Sequence, residues 1–283
     1  MASGNSEPVR VIEGQKTKLT RVAHGIAYDP VHDLIISTEP LASSITFFRG
    51  GSVGEQAPVR IIQGPRTQLH GPYQPAIDVK HNELWIADSR TDSLLVFPLD
   101  GSGDIPPKRV IAGPKTGLWY AAGVAVDPER NLVVAGSLLG RNTWHHNGGL
   151  FVFGRTDNGN VAPKTVIAGP TTGIIGIWHV QTYDGKIYAV ATNIKYLPPY
   201  DPGGYAPMKD CKGPPLPWIG PLGFIGVWNL DDNGDLAPRA IIRGAGTDLI
   251  HPSGIAIDPA NGEIFTTDSV RNGIYSFLVP SFF

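Results

Sequence analysis

Apolar and polar residues alternate along this chain in short runs, and the runs recur. GIAYD from Gly25, PAIDVK from Pro75, GVAVD from Gly123, VQTYD from Val180 and GIAID from Gly254 each precede a tight turn. After the turns come DLIIST, ELWIAD, NLVVAG, KIYAVA and EIFTTD, and then SITFFR, SLLVFP, GLFVFG, FIGVWN and GIYSFL. Alternating β-branched and aromatic residues bounded by Gly, Pro, Asn and Asp predict strands. One further phrase occurs in five copies: PVRVIEG (8–14), PVRIIQG (58–64), PKRVIAG (107–113), PKTVIAG (163–169) and PRAIIRG (238–244). A repeat of about 50 residues signals stacked supersecondary units, and four strands per unit fit a propeller blade.

The phrase opens the chain, and no copy follows GIYSFL. The expected fold is therefore all-β, a five-bladed β-propeller with four-stranded blades. It forms a single domain over residues 1–283, closed by the N-terminal strand pairing with the C-terminal blade. Closure of this kind removes the free strand edges that invite association.

If strands run a to d outward from the axis, the d-to-a and b-to-c connections share one face. The turns on the opposite face, such as DPVHD, DPERN and DPANGE, are rich in Asp, Asn, Gly and Pro and read as solvated turns. The first face differs. Its d-to-a linkers carry His24, His70, Tyr73, Gln74, Trp119, Tyr120, Trp178, His179, His251 and Ser253, more ring systems than a turn requires. Two b-to-c loops there are long, at 137–149 and 193–223, and include Trp144, Tyr196, Tyr200 and Trp218. Loops of such length usually serve function, so lid-like insertions over a central mouth are expected.

Candidate chemistry follows from these residues. His179 and His251 are the candidate catalytic groups, since imidazole titrates near neutral pH. His24, His70, Tyr73, Trp119, Tyr120, Trp144, Trp178 and Tyr196 are the candidate substrate-binding residues, forming apolar walls. Each histidine has a plainer alternative role, fixing the path of its loop by a hydrogen bond; His145 and His146 lie in a Gly- and Asn-rich loop suited to solvent. Glu39, Asp88, Asn193 and Asp268 fall at b-strand ends where an axial cation could sit, but Asp88 and Asp268 also suit turn capping, and no metal or other cofactor is expected. GxSxG occurs once, as GGSVG (50–54) in the turn after SITFFR and away from any strand-to-helix elbow, no GxxxxGK motif occurs, and Cys211, the single cysteine, stands between Lys209 and Lys212 without a partner base.

Composition narrows the partners. Charged residues make up 17% of the chain, the formal net charge is −2, and the basic residues are scattered, so nucleic acid is not an expected partner. No run is apolar enough for a membrane helix, and MASGNSEP lacks the core of a signal peptide. A soluble protein is expected, with cytoplasm preferred to secretion after removal of a leader. Nothing in the sequence sets the oligomeric state.

The pattern PxRxIxGPxTxL followed by GIAxDP, EIxxxD and IxxF resembles the NHL-type repeat of β-propeller proteins. The resemblance covers nearly the whole chain and implies architecture, not chemistry. In general plan, a short propeller with aromatic lids is also similar to the fungal hetero-Diels–Alderases that build tropolone sesquiterpenoids. That resemblance implies a (4+2) cycloaddition between a quinone methide and an alkene, and it assigns no residue. The leading expectation is a cofactor-independent cyclase acting on a hydrophobic conjugated small molecule, by orientation in the mouth. The alternatives are a lectin-like or other ligand-binding propeller, a lactonase-type hydrolase and an interaction scaffold. Lectin propellers usually repeat one site per blade, whereas the mouth residues here differ from blade to blade.

Overall fold

The computed structural model describes residues 7–140, 147–192 and 223–283. Each repeat folds as an antiparallel meander. Blade 1 contains β1 (Gly25–Asp29), β2 (Leu34–Glu39), β3 (Ser44–Arg49) and β4 (Arg60–Gln63). Blade 2 contains β5 (Pro72–Asp78), β6 (Glu83–Asp88), β7 (Ser93–Pro98) and β8 (Arg109–Ile111). Blade 3 contains β9 (Leu118–Asp127), β10 (Leu132–Gly140), β11 (Asn147–Gly154) and β12 (Thr165–Ile167). Blade 4 contains β13 (Gly176–Tyr183), β14 (Lys186–Thr192), β15 (Phe224–Asn229) and β16 (Ala240–Ile242). Blade 5 contains β17 (Pro252–Asp258), β18 (Glu263–Asp268) and β19 (Gly273–Leu278). The chain is a five-bladed β-propeller. Among the described residues no helix is long and apolar enough to cross a membrane.

Alternation in each strand gives a blade two apolar faces, one for each neighbour. Four interblade cores result. Blades 1 and 2 bury Ile36, Ile45 and Ile62 against Leu69, Leu84 and Phe97. Blades 2 and 3 bury Trp85, Leu94 and Ile111 against Leu118 and Val124. Leu150 and Ile167 meet Val180 and Trp228 between blades 3 and 4, and Ile225 and Ile242 meet Leu249 and Ile255 between blades 4 and 5. The repeated phrase also has a polar function. Its Thr hydroxyl donates to the carbonyl of the preceding Gly at 2.6–2.7 Å in all five copies, from Thr17, Thr67, Thr116, Thr172 and Thr247.

The closure departs from expectation. The fifth sheet ends at β19, and the expected pairing of residues 8–14 with it is not formed. Instead the N-terminal phrase lies on blade 1. Ile12 bridges Gly54 in parallel, just as Ile62 bridges Gly103, Ile111 bridges Gly159 and Ile167 bridges Gly234. The phrase thus takes the place of an outermost strand relative to the blade that follows it, while the blade that should precede it stands off. In keeping with this, no apolar core joins blade 5 to blade 1 among the described residues.

Register counts from the inner turns bring Gly25, Gln74, Gly123, His179 and Gly254 to one level around the axis. Three glycines leave room that two longer side chains fill. Gln74 is buried; its Oε1 accepts the N–H groups of Val124 (3.1 Å) and Val180 (3.0 Å), and its Nε2 donates to Val180 O at 2.7 Å. One carboxamide therefore ties blades 2, 3 and 4. A Cβ on Gly123 would stand 3.2 Å from Trp178 O and 3.4 Å from Gln74 Oε1, so the glycine permits this approach.

Gln74→Leu is expected to lower stability by roughly 2–4 kcal/mol, because it strands three buried backbone groups without partners. Chemical denaturation with an unchanged m value would read the loss; an unshifted midpoint would mean that solvent or another side chain replaces the amide.

Candidate functional site

At the mouth the inner strands bulge. Tyr73 and Gln74 together face Ala87 between the Pro72–Asp88 and Pro75–Ile86 pairs. Ala122, Trp178 and Ser253 are likewise single extra residues in β9, β13 and β17. A bulge re-aims a side chain that strict alternation would send into an interblade core. Here it turns Tyr73 and Trp178 toward the axis.

The rings converge there. His24 stacks on Tyr73 with centroids 3.8 Å apart, and Trp178 lies nearly parallel to both, at 5.6 Å from His24 and 5.9 Å from Tyr73. His251 meets Trp178 edge-on at 6.0 Å, and Tyr120 meets Tyr73 edge-on at 5.7 Å. All five blades contribute one ring. The Tyr73 and Tyr120 hydroxyls are hydrogen-bonded at 2.8 Å. Tyr120 reaches this position from a left-handed backbone conformation (φ +61°), with its N–H donated to Asp92 Oδ1 at 2.7 Å. A bulky residue in that region typically costs about 1–3 kcal/mol, which the surrounding contacts must offset.

The cluster is half-buried, and that burial acts on its titratable groups. Burial lowers the His24 pKa, and burial lowers that of His251 against the opposing pull of the Asp268 carboxylate. His179 is pushed down to about 4, first by burial and then by the charge of His24 beside it. Burial, with help from Tyr120, raises the Tyr73 hydroxyl well above its ordinary range. The Nε1–H of Trp178 is buried and has no acceptor among the described residues. An unpaired donor of that kind costs about 1–3 kcal/mol, a penalty that an acceptor placed there would relieve.

Of the residues expected at the mouth, His24, Tyr73, Tyr120, Trp178 and His251 meet in this cluster. His179 sits directly beneath it, its Nδ1 3.9 Å from where a Gly254 Cβ would stand. His251 is anchored through Nδ1 to Ser269 Oγ at 2.7 Å. His70 does not join. It is exposed, its ring N–H donates to Gln68 O at 2.9 Å, and its backbone N–H is held by Asp88, so it takes the loop-fixing role. Trp119 is half-buried with its N–H donated to Ser137 Oγ at 3.1 Å. Trp144, Tyr196, His145, His146, Asn193 and Cys211 lie outside the described residues, as does 193–222 of the second expected loop. The first expected loop, 137–149, is shorter than its bounds: 137–140 continue β10 and 147–149 begin β11, because the alternating pattern extends into both, and only 141–146 lie outside the described residues.

The acidic residues at the b-strand ends serve loops. Asp88 accepts N–H groups from His70, Gly71, Arg90 and Thr91, and Asp268 those of Ile250, His251, Val270 and Arg271. Glu39 accepts from Thr20 and from the Ser37 hydroxyl. No group of three His, Cys, Asp or Glu side chains suited to a metal occurs among the described residues. Gln74, which ties blades 2, 3 and 4 at the axis, is placed at the mouth by the sequence, but no sequence pattern distinguishes it as the residue that makes this tie.

No protein-family model matches this sequence, and no curated protein matches it at a significant level. Solved structures match its fold. A chain of Kuenenia stuttgartiensis hydrazine synthase aligns over 93% of this chain and 59% of its own, with a TM-score of 0.55 and 12% identity. A chain of a nidogen/laminin complex aligns over 91% of this chain and 76% of its own, with a TM-score of 0.59 and 16% identity. This chain thus spans about three-fifths of the hydrazine synthase chain it matches. At such identities the likeness is one of propeller architecture alone.

Proposed function

We propose that the chain binds a planar, conjugated, carbonyl-bearing small molecule on the axial ring cluster and promotes its cyclisation by orientation. The observation that carries this reading is the cluster itself: one ring from each blade, with Trp178 parallel to Tyr73 and His24 and its N–H unpaired. Flat π faces favour flat π ligands through offset stacking, and the indole N–H adds a direction in which a carbonyl oxygen would be held.

The chemistry of a (4+2) closure suits such a site. Two σ bonds form from two of three π bonds, the third relocates, no atom leaves and no proton is exchanged. Holding diene and alkene in a near-attack arrangement is the main requirement, and a hydrogen bond to the conjugated carbonyl assists by withdrawing electron density. Neutral imidazoles at His24, His179 and His251 keep the site free of charge at neutral pH. In this reading His251 and His179 act as a hydrogen-bond donor and a packing support, with proton transfer unnecessary. A lectin-like reading is less favoured, because the rings merge into one asymmetric site and do not form five equivalent ones.

Titration with naphthoquinone as a planar probe, followed by quenching of tryptophan fluorescence or by calorimetry, tests the site. Trp178→Ala is expected to weaken binding by roughly 10- to 100-fold, the equivalent of about 1.4–3 kcal/mol. Trp178→Phe should retain most of the stacking and lose the carbonyl contact, for about a tenfold loss. Absence of saturable binding, or equal affinity in Trp178→Ala, would remove the proposal.

A second expectation concerns pH. The folded-state pKa of His179 lies below the ordinary value, so between about 6.5 and 4 the unfolded chain binds more protons there than the folded one. Its neutral burial therefore leaves stability intact above that window and erodes it as pH falls through it. His179→Gln should flatten the dependence of the thermal midpoint on pH in this range; an unchanged slope would show that His179 is not the titrating group.

A further inference from the structure

We propose that the groove between blades 3 and 4, on the face opposite the ring cluster, binds a small molecule that carries a guanidinium group. The repeat supplies the reason. The third residue of the phrase is Arg10, Arg60, Arg109, Thr165 and Ala240 in its successive copies. Arg60 pairs with Phe47 in its own sheet and reaches across to the turn that follows β7 in blade 2. Its Nη1 donates to Leu99 O at 3.1 Å and Gly101 O at 2.8 Å, and its Nη2 to Leu99 O at 3.2 Å. Arg10 donates to Gly50 O, in the corresponding turn after β3, at 2.7 Å. Arg109 donates at 2.7 Å to Glu83, which also accepts from Arg155 of blade 3 at 2.9 Å. In blade 4, Ala240 shares its core with Phe282 and Phe283. This position of the fold is therefore built to hold a guanidinium against the next blade, and where arginine is missing before blade 5, aromatic rings cover the place.

Between blades 3 and 4 the side chain is short. Thr165 pairs with Val152 as Arg109 pairs with Val96, so it shares the face of Val152 that packs toward blade 4. Leu132 takes the register position of Glu83, so the carboxylate that holds Arg109 has no counterpart here. A groove of about 580 Å³ results, lined among others by Leu132, Val152, Lys164, Thr165, Leu230 and Asp231. That size falls within the roughly 300–1,000 Å³ usual for small-molecule sites. The Thr165 hydroxyl is buried and has no hydrogen-bond partner among the described residues. Leu230 follows β15 as Leu99 follows β7, which makes its carbonyl the counterpart of the one that takes two bonds from Arg60. Thr165 Oγ1, Leu230 O and the Asp231 carboxylate are acceptors, which suits the rigid set of N–H donors on a guanidinium. The nearby cations are engaged: Arg130 by Asp127 at 3.1 Å and Asp184 at 3.3 Å, and Lys186 by Phe282 O at 3.1 Å. Lys164 is exposed, forms no ion pair among the described residues and suits an anionic group at the other end of the ligand. The class favoured is a guanidino acid whose carbon chain lies over Leu132, Val152 and Leu230. The inference stands on the repeat and does not depend on what the ring cluster binds.

Calorimetric titration of the full chain with γ-guanidinobutyrate tests the site. Saturable binding at one site is expected, with γ-aminobutyrate, which lacks the planar donor set, weaker by roughly tenfold. Thr165→Arg restores the arginine of the preceding copies and should abolish binding without lowering the thermal midpoint. Thr165→Val removes only the hydroxyl and should weaken binding by roughly five- to tenfold. Lys164→Ala should weaken γ-guanidinobutyrate by about tenfold and leave agmatine, which has no carboxylate, unaffected. Trp178→Ala should bind γ-guanidinobutyrate as the unaltered protein does, which separates this groove from the ring cluster. Absence of saturable binding, undiminished binding in both Thr165 variants, or loss of binding in Trp178→Ala would overturn the proposal. An equal response of the two ligands to Lys164→Ala would overturn the choice of an acid. Binding confined to an arginine-bearing peptide would also overturn the proposal, by assigning the groove to a protein partner.

Discussion

A propeller axis has to be filled, and in this protein Gln74 fills it. Three of the five residues at its level are glycines, so backbones from different blades approach closely, and their N–H and C=O groups need partners that no sheet ladder supplies. The Gln74 carboxamide supplies three of those contacts at once, to Val124 and Val180. Because an unpaired buried amide costs more than a made hydrogen bond contributes, the register of three inner strands depends on one side chain. The ring cluster above is held to the same frame, since Tyr73 is the residue before Gln74 and Trp178 lies two before Val180.

Mouth chemistry follows from that frame together with the bulges. Without an extra residue in β5 and β13, Tyr73 and Trp178 would alternate into interblade cores. With it, their rings stack with His24 on the axis and lower each other's exposure. Burial sets the protonation states: His24, His179 and His251 all shift toward the neutral form because the charged imidazolium loses hydration. A site of this composition favours orientation and stacking over acid–base transfer.

The outer structure is less uniform than the repeat suggests. Thr17, Thr67, Thr116, Thr172 and Thr247 make the same turn bond, and four glycines make the same bridge from one blade to the next. Yet four seams are sealed by apolar cores and the fifth is not, which concentrates exposed apolar surface at Ile26 and Ile274. Seam geometry is a property of the whole ring: small rotations between successive blades add up, and the sum decides whether the last wall reaches the first.

The sequence alone determined the strand pattern, the five repeats, the propeller and which face bears the unusual rings. Each of these rests on local alternation and turn chemistry, which are written in neighbouring residues. It also marked His24, Tyr73, Tyr120, Trp178 and His251 as mouth residues, because aromatic side chains there exceed what a turn needs. Only the tertiary structure decided that Gln74 is the axial tie, that bulges turn Tyr73 and Trp178 inward, and that His70 faces solvent on Gln68. It alone left residues 8–14 on blade 1, away from β19. These depend on contacts between residues a hundred or so positions apart, such as Gln74 with Val180, whose distances are set by how the blades sum around the axis and not by any local pattern.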